Sequence, residues 1–149
     1  MNKYLPALQT IEDLSMTGDN LKEGLFWTEG LLGIQNLPSN SIDLIITEPP
    51  KEPWIDLENR GSQLTLQEYY NWNQKWIREV SRVLKNTGGI YLLCDWTHSN
   101  MYNGLLKEQF IVQNRITWHN RSAKNNNQNL TWKNQSGDIW FATKNEDFL

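Results

Sequence analysis

Apolar positions along this chain change period several times, and each change marks an element. Leu66, Tyr69, Trp72, Trp76, Val80, Val83 and Leu84 recur at spacings of three, four and one. That pattern is one face of a helix about five turns long. Thr65 and Glu68 occupy the positions of a capping box, in which hydroxyl and carboxylate satisfy the first free backbone amides. Asn86-Thr87-Gly88-Gly89 is expected to end the helix, with glycine taking a left-handed cap. Ile42–Thr47 and Gly89–Trp96 are short, β-rich and bounded by turn formers, so both read as buried strands. Phe110–Trp118 and Asp138–Thr143 read as two further strands, and a short helix is expected around Ser99–Glu108. Gly24–Gln35 reads as a short strand and then a helix, ended by Pro38. Residues 1–24 read as an irregular arm with a short helix around Thr10–Met16, while Lys51–Gln63 and Arg121–Asn129 read as loops.

Strand, helix, strand, helix, strand, strand predicts an α/β fold: a mostly parallel sheet covered by helices, with an antiparallel end. The 149 residues suffice for one domain with a real core, spanning 1–149, and no linker divides them.

Charge adds one feature. The net charge is −3, from 14 Lys+Arg and 17 Asp+Glu. Residues 109–137 contain Arg115, Arg121, Lys124 and Lys133 and no acid, a local balance of +4. A basic stretch inside an acidic chain points to an anionic partner, or is simply a solvated loop. Eight tryptophans suit base stacking as well as a core. The single Cys94 lies in an apolar run and reads as a small buried residue of a reducing, cytoplasmic setting. No apolar run reaches membrane-spanning length, and His98 and His119 lack cysteine partners, so neither a membrane nor a metal site is expected.

The chemistry concentrates in Ser41-Ile42-Asp43-Leu44-Ile45-Ile46-Thr47-Glu48-Pro49-Pro50-Lys51. An apolar strand stops at an acid followed by two prolines, which allow neither helix nor further strand pairing. The acid is therefore held on a stiff turn at the strand's C-terminal end, where open α/β sheets bind ligands. Read blandly, Glu48 is a surface acid and the prolines only terminate the strand.

This segment resembles the Asp-Pro-Pro-Tyr motif of the amino-methylating DNA methyltransferases. "WIREVSRVLKNTGGIYLLCDW" (Trp76–Trp96), "RITW" (Arg115–Trp118) and "WKNQSGDIWFATK" (Trp132–Lys144) resemble the family's following elements in the same order. The resemblance implies a Rossmann-like fold with the catalytic half placed first. The activity implied is methyl transfer from S-adenosylmethionine to adenine N6 or cytosine N4 of a flipped base in DNA. Glu48 and the Pro49 carbonyl would accept the amine's hydrogens on the stiff Pro49–Pro50 turn. Trp54 would stack on the base, or anchor its loop. Trp118 would form the other wall of the base pocket, or belong to the core. Glu48 and Asp95 would face the cofactor, with Asp95 alternatively capping the next helix. Arg115, Arg121, Lys124 and Lys133 would meet DNA phosphates.

Three departures from the family stand out. Glu48 is one methylene longer than aspartate. Lys51 replaces an aromatic and would bring a cation near a nitrogen that gains positive charge. No Gly-x-Gly is present, so the glycine-rich cofactor loop is missing and the fold is expected to be incomplete. A split half that binds DNA or a complementary methyltransferase chain is therefore a second expectation. A tryptophan-rich single-stranded nucleic-acid binder is a third.

Overall fold

The computed structural model describes residues 8–9, 25–50, 64–119 and 136–148. In chain order the elements are β1 (Leu8–Gln9), β2 (Leu25–Phe26), α1 (Gly30–Gln35), β3 (Ile42–Thr47), α2 (Leu66–Val83), β4 (Leu84–Asp95), α3 (Trp96–Lys107), β5 (Ile111–His119) and β6 (Ser136–Thr143). β1 and β2 form a small parallel pair. The main sheet has the order β3-β4-β6-β5. β3 pairs parallel with β4, while β6 runs antiparallel to both β4 and β5. Hence β3, β4 and β5 share one direction and β6 alone opposes them, which is the expected sheet with its antiparallel end.

The long helix forms as its periodicity dictates. Thr65 and Glu68 make the capping box, with the Thr65 hydroxyl accepting from the Glu68 amide and the Glu68 carboxylate accepting from the Thr65 amide. That bonding holds the Glu68 carboxyl below its ordinary pKa. Trp76, Ile77 and Val80 are buried with Ile90, Leu92 and Cys94 of β4 and Leu105 and Leu106 of α3, and Tyr69 and Val83 of the same helix are buried as well. Trp72 is half-buried beside them. Leu66, expected on the same face, is instead exposed, because the first turn of α2 lies outside this cluster.

Two expectations need correction. The helix ends at Val83, with Leu84 already extended (φ −66°, ψ 136°), so Asn86–Gly89 belongs to β4 rather than to a helix cap. Neither Gly88 nor Gly89 adopts the left-handed φ of such a cap. Gly88 is required because a β-carbon there would lie 2.9 Å from the Asp43 carbonyl of β3 and 3.1 Å from the Lys85 carbonyl. Second, β3 is buried on one face only. Leu44 and Ile46 are 50% and 67% exposed, whereas Ile42 and Ile45 pack on the core. β3 is the outer strand among the described residues, and α2 and α3 lie against the sheet on the face of Ile90 and Leu92. The expected helix at Thr10–Met16 lies outside the described residues, as do the loops Lys51–Gln63 and Arg121–Asn129.

Candidate functional site

The parallel pairing of β3 and β4 brings their C-terminal ends together, with Thr47 opposite Leu92. Glu48 therefore leaves the sheet beside the end of β4, which finishes at Asp95. Antiparallel pairing then sets Gly137 of β6 against Asp95, and Trp118 of β5 against Gly137. One sheet edge thus carries Glu48, Asp95, Gly137 and Trp118 in strand order. Three inter-strand steps of about 4.8 Å and an offset of two residues along the strands separate Glu48 from Trp118, roughly 16 Å.

Glu48 is exposed and Pro49 buried, so the acid stands on a turn anchored in the protein. The anchor is a hydrogen bond from the Tyr69 hydroxyl to the Pro50 carbonyl, at 2.5 Å. Tyr69 comes from the first turn of α2, which the capping box fixes. Its ring stacks on Trp72 and takes the edge of His98 at 5.3 Å. Behind it the Tyr102 hydroxyl lies 2.9 Å away and donates to Asn73 Oδ1 at 3.0 Å. Asn73 Oδ1 also accepts from Trp76 Nε1, and Asn73 Nδ2 donates to the Tyr69 carbonyl. Burial, first, and the Tyr69 hydroxyl hold the Tyr102 phenol far above its ordinary pKa, so it stays protonated. Nothing in the hydrophobic pattern marks this polar network, because tyrosine, asparagine and tryptophan sit there at core positions.

Asp95 is the N-cap of α3. Its Oδ1 accepts from the amides of Thr97 and His98 and from the Thr97 hydroxyl, and lies 3.3 Å from His98 Nδ1. Every described bond falls on Oδ1, so Oδ2 remains for another partner. Capping fits the extended backbone of Asp95 at the point where strand becomes helix.

Trp118 is not a core residue: it is 45% exposed. Its indole lies across Gly137, where a β-carbon would sit 2.6 Å from Nε1. Arg115 points to the other face of β5, 3.7 Å from Asp138 Oδ1 and 5.8 Å from the centre of the Trp140 ring. Asp138 is buried and accepts from Ser99 Oγ and Thr117 Oγ1, and Ser99 in turn accepts from Trp140 Nε1. Arg115 thus helps to neutralise a buried carboxylate. Lys51, Trp54, Arg121, Lys124 and Lys133 lie outside the described residues.

Comparison with known proteins bears on this geometry. A family model described as DNA methylase matches residues 42–148, from the first residue of β3 to beyond β6. The type II methyltransferase M.HpaI of Haemophilus parainfluenzae is 29% identical over 101 residues, which are 66% of this chain and 32% of that protein. Among solved structures, the cytosine-N4-specific PvuII DNA methyltransferase superposes with a TM-score of 0.67 at 18% identity, covering 97% of this chain and 53% of that one. The M1.HpyAVI-SAM complex superposes with a TM-score of 0.50 at 20% identity, over 75% of this chain and 46% of that one. The structural likenesses establish the methyltransferase fold. The chain spans about a third of the length of the curated relative and about half of the solved PvuII chain.

Proposed function

The chain belongs to the DNA methylase family, and from that premise we propose that it is the catalytic half of a site-specific DNA methyltransferase. Its substrate is the exocyclic amine of a flipped base, adenine N6 or cytosine N4, and it works in the cytoplasm. The observation that supports this most is the Glu48-Pro49-Pro50 turn, stiff, tied down by Tyr69, and set at the C-terminal end of parallel strands within the matched region.

An exocyclic amine is a poor nucleophile because its lone pair is delocalised into the ring. The Glu48 carboxylate and the Pro49 carbonyl accept its two hydrogens and localise that pair. As nitrogen gains positive charge, both acceptors stabilise the transition state more than the ground state. The longer Glu48 side chain displaces the carboxylate by about 1 Å from where aspartate would hold it, an error worth on the order of 10²-fold in rate.

S-adenosylmethionine, when bound, supplies an electrophilic methyl group on a sulfonium. The carboxylates at the ends of β3 and β4 suit its cationic and hydroxyl groups, and Asp95 fits such a role because its Oδ2 is unused by the helix cap. Trp54 or Trp118 stacks on the extruded nucleotide. At roughly 16 Å from Glu48 between backbones, Trp118 suits contact at the sugar end of the base, with its amine at Glu48. Arg121, Lys124 and Lys133 contact phosphate, with Arg115 contributing less because Asp138 and Trp140 already engage it.

The test is transfer of labelled methyl from S-adenosylmethionine to duplex DNA. Glu48→Ala abolishes transfer and Glu48→Asp matches or exceeds the wild type. Equal transfer by wild type and Glu48→Ala would overturn these roles.

A second reading rests on β3. Its outer edge carries no strand among the described residues, and Leu44 and Ile46 are exposed beside it. Unpaired strand edges attract another strand. A complementary methyltransferase chain carrying the glycine-rich loop would extend the sheet there. Methylation that appears only when such a chain is added supports this version, and full activity of this chain alone excludes it.

A further inference from the structure

The contacts behind the turn hold one proton fewer than they hold oxygen pairs. Pro50 O, Tyr69 Oη, Tyr102 Oη and Asn73 Oδ1 lie in a row at 2.5, 2.9 and 3.0 Å. Pro50 O accepts only. Asn73 Oδ1 accepts only as well, because its amide nitrogen donates to the Tyr69 carbonyl and Trp76 Nε1 donates to its oxygen. Two hydroxyl protons must therefore serve three contacts. The Pro50 carbonyl is bonded whenever the Tyr69 proton points outward, and it competes for that proton with the Tyr102 oxygen. Contacts of the Tyr69 ring with Trp72 and His98 fix the ring, and with it the position of its oxygen beside the Pro50 carbonyl.

We propose that Tyr69 is the positioning residue of the turn: its hydroxyl holds the Pro50 carbonyl and so orients the Pro49 carbonyl one peptide earlier. This role rests on the reading of Glu48–Pro50 as the amine-acceptor turn. The proline ring locks φ of Pro50. A carbonyl held at Pro50 also fixes ψ, and the Pro49–Pro50 peptide plane has no remaining soft torsion on that side. Tyr69 does not touch the reacting atoms; it acts through the backbone. Tyr102 and Asn73 set the second acceptor for its proton.

Pro50-Lys51 is the one Pro-Lys pair in the chain. Full-length protein labelled with carbonyl-¹³C proline and ¹⁵N lysine therefore gives a single carbonyl–amide NMR cross-peak from that peptide. Tyr69→Phe moves its carbon shift upfield, because a hydrogen-bonded carbonyl carbon is deshielded. Tyr102→Phe removes the competing acceptor and the bond to Asn73 Oδ1, and leaves the peak in place. Both tyrosines are almost fully buried, at 1% and 2% exposure, so the two variants lose similar packing and differ only in which contact they remove. Asn73 Oδ1 keeps Trp76 in either case, and the Pro50 carbonyl loses its donor only in Tyr69→Phe. A third sample needs no substitution. With 3-fluorotyrosine throughout, the phenol is a stronger donor and the same peak moves downfield. A peak that ignores Tyr69→Phe, or that moves equally in both variants, overturns the proposal. In methyl transfer, Tyr69→Phe lowers kcat by about tenfold, the worth of one hydrogen bond, with KM for DNA and cofactor unchanged. A changed KM with unchanged kcat overturns it too. An intact NMR pattern in a protein that never methylates would sink the functional reading while the hold on the turn stands.

Discussion

Gly88 offers the sharpest test of how β3 is seated beneath the candidate site. A β-carbon at this position would lie 2.9 Å from the Asp43 carbonyl, 3.1 Å from the Lys85 carbonyl and 3.1 Å from Leu84 Cδ2. Ordinary contact begins near 3.4 Å, so Gly88→Ala demands a retreat of several tenths of an ångström. Two of the three obstacles are backbone, held in the β3–β4 pairing, and only the leucine methyl can yield cheaply. Overpacking of this kind costs about 1–3 kcal/mol. At roughly 2–4 °C per kcal/mol for a chain of this size, the melting temperature falls by about 4–8 °C for the central value. Urea unfolding followed by circular dichroism gives the free energy directly. Gly88→Asn separates the two explanations of the glycine. At a left-handed cap asparagine is tolerated better than alanine. Against a close backbone the larger asparagine is as harmful as alanine or worse. If Gly88→Asn proves more stable than Gly88→Ala, the close-approach reasoning fails. Because Asp43 lies on the strand that leads into Glu48, Gly88→Ala should also lower methyl transfer.

Two further outcomes follow from other parts of the structure. Arg82 donates through Nη1 to the Leu37 carbonyl, through Nη2 to the Ile34 carbonyl and through Nε to Glu79. Lysine cannot reproduce that fork, so Arg82→Lys loses about 2 kcal/mol of unfolding free energy, and an unchanged urea midpoint would refute it. Burial, with the nearby Asp138 and Asp95, pushes the Cys94 thiol up to about 11 against a lowering bond from Ser99. Native protein should therefore react with a disulfide reagent at pH 8 only after unfolding. The folded state binds this proton more tightly than the unfolded one, so the stability it contributes is intact below pH 9.0 and is lost as pH rises toward about 11. That loss is on the order of 2 kcal/mol and disappears in Cys94→Ala.

Elements whose signals are local were legible before any coordinates. The capping box and spacing around Thr65–Val83 place α2 because both are properties of neighbouring residues. The strand-acid-proline-proline run places the turn for the same reason, since proline restricts its own residue and the one before it. Capping by Asp95 was one of two readings, and the structure shows it. What failed was long-range. The helix ends before Asn86 and Gly88 is no left-handed cap, because Gly88 answers to Asp43 on another strand, 45 positions back in the chain. Leu44 and Ile46 looked as buried as Ile45, for an apolar run does not reveal which face a helix covers.

The chain order alone therefore determined which segments become helices and strands, and where a stiff acidic turn would stand. Tertiary structure decided what holds that turn. Tyr69 lies 19 residues from Pro50 and 33 from Tyr102, and no local rule pairs them. The insertion of β6 between β4 and β5, which sets Trp118 across Gly137 and Arg115 beside Asp138, was decided the same way. Backbone torsions and periodic burial are written in adjacent residues, whereas hydrogen bonds and close approaches between distant segments exist only once the core has brought those segments together.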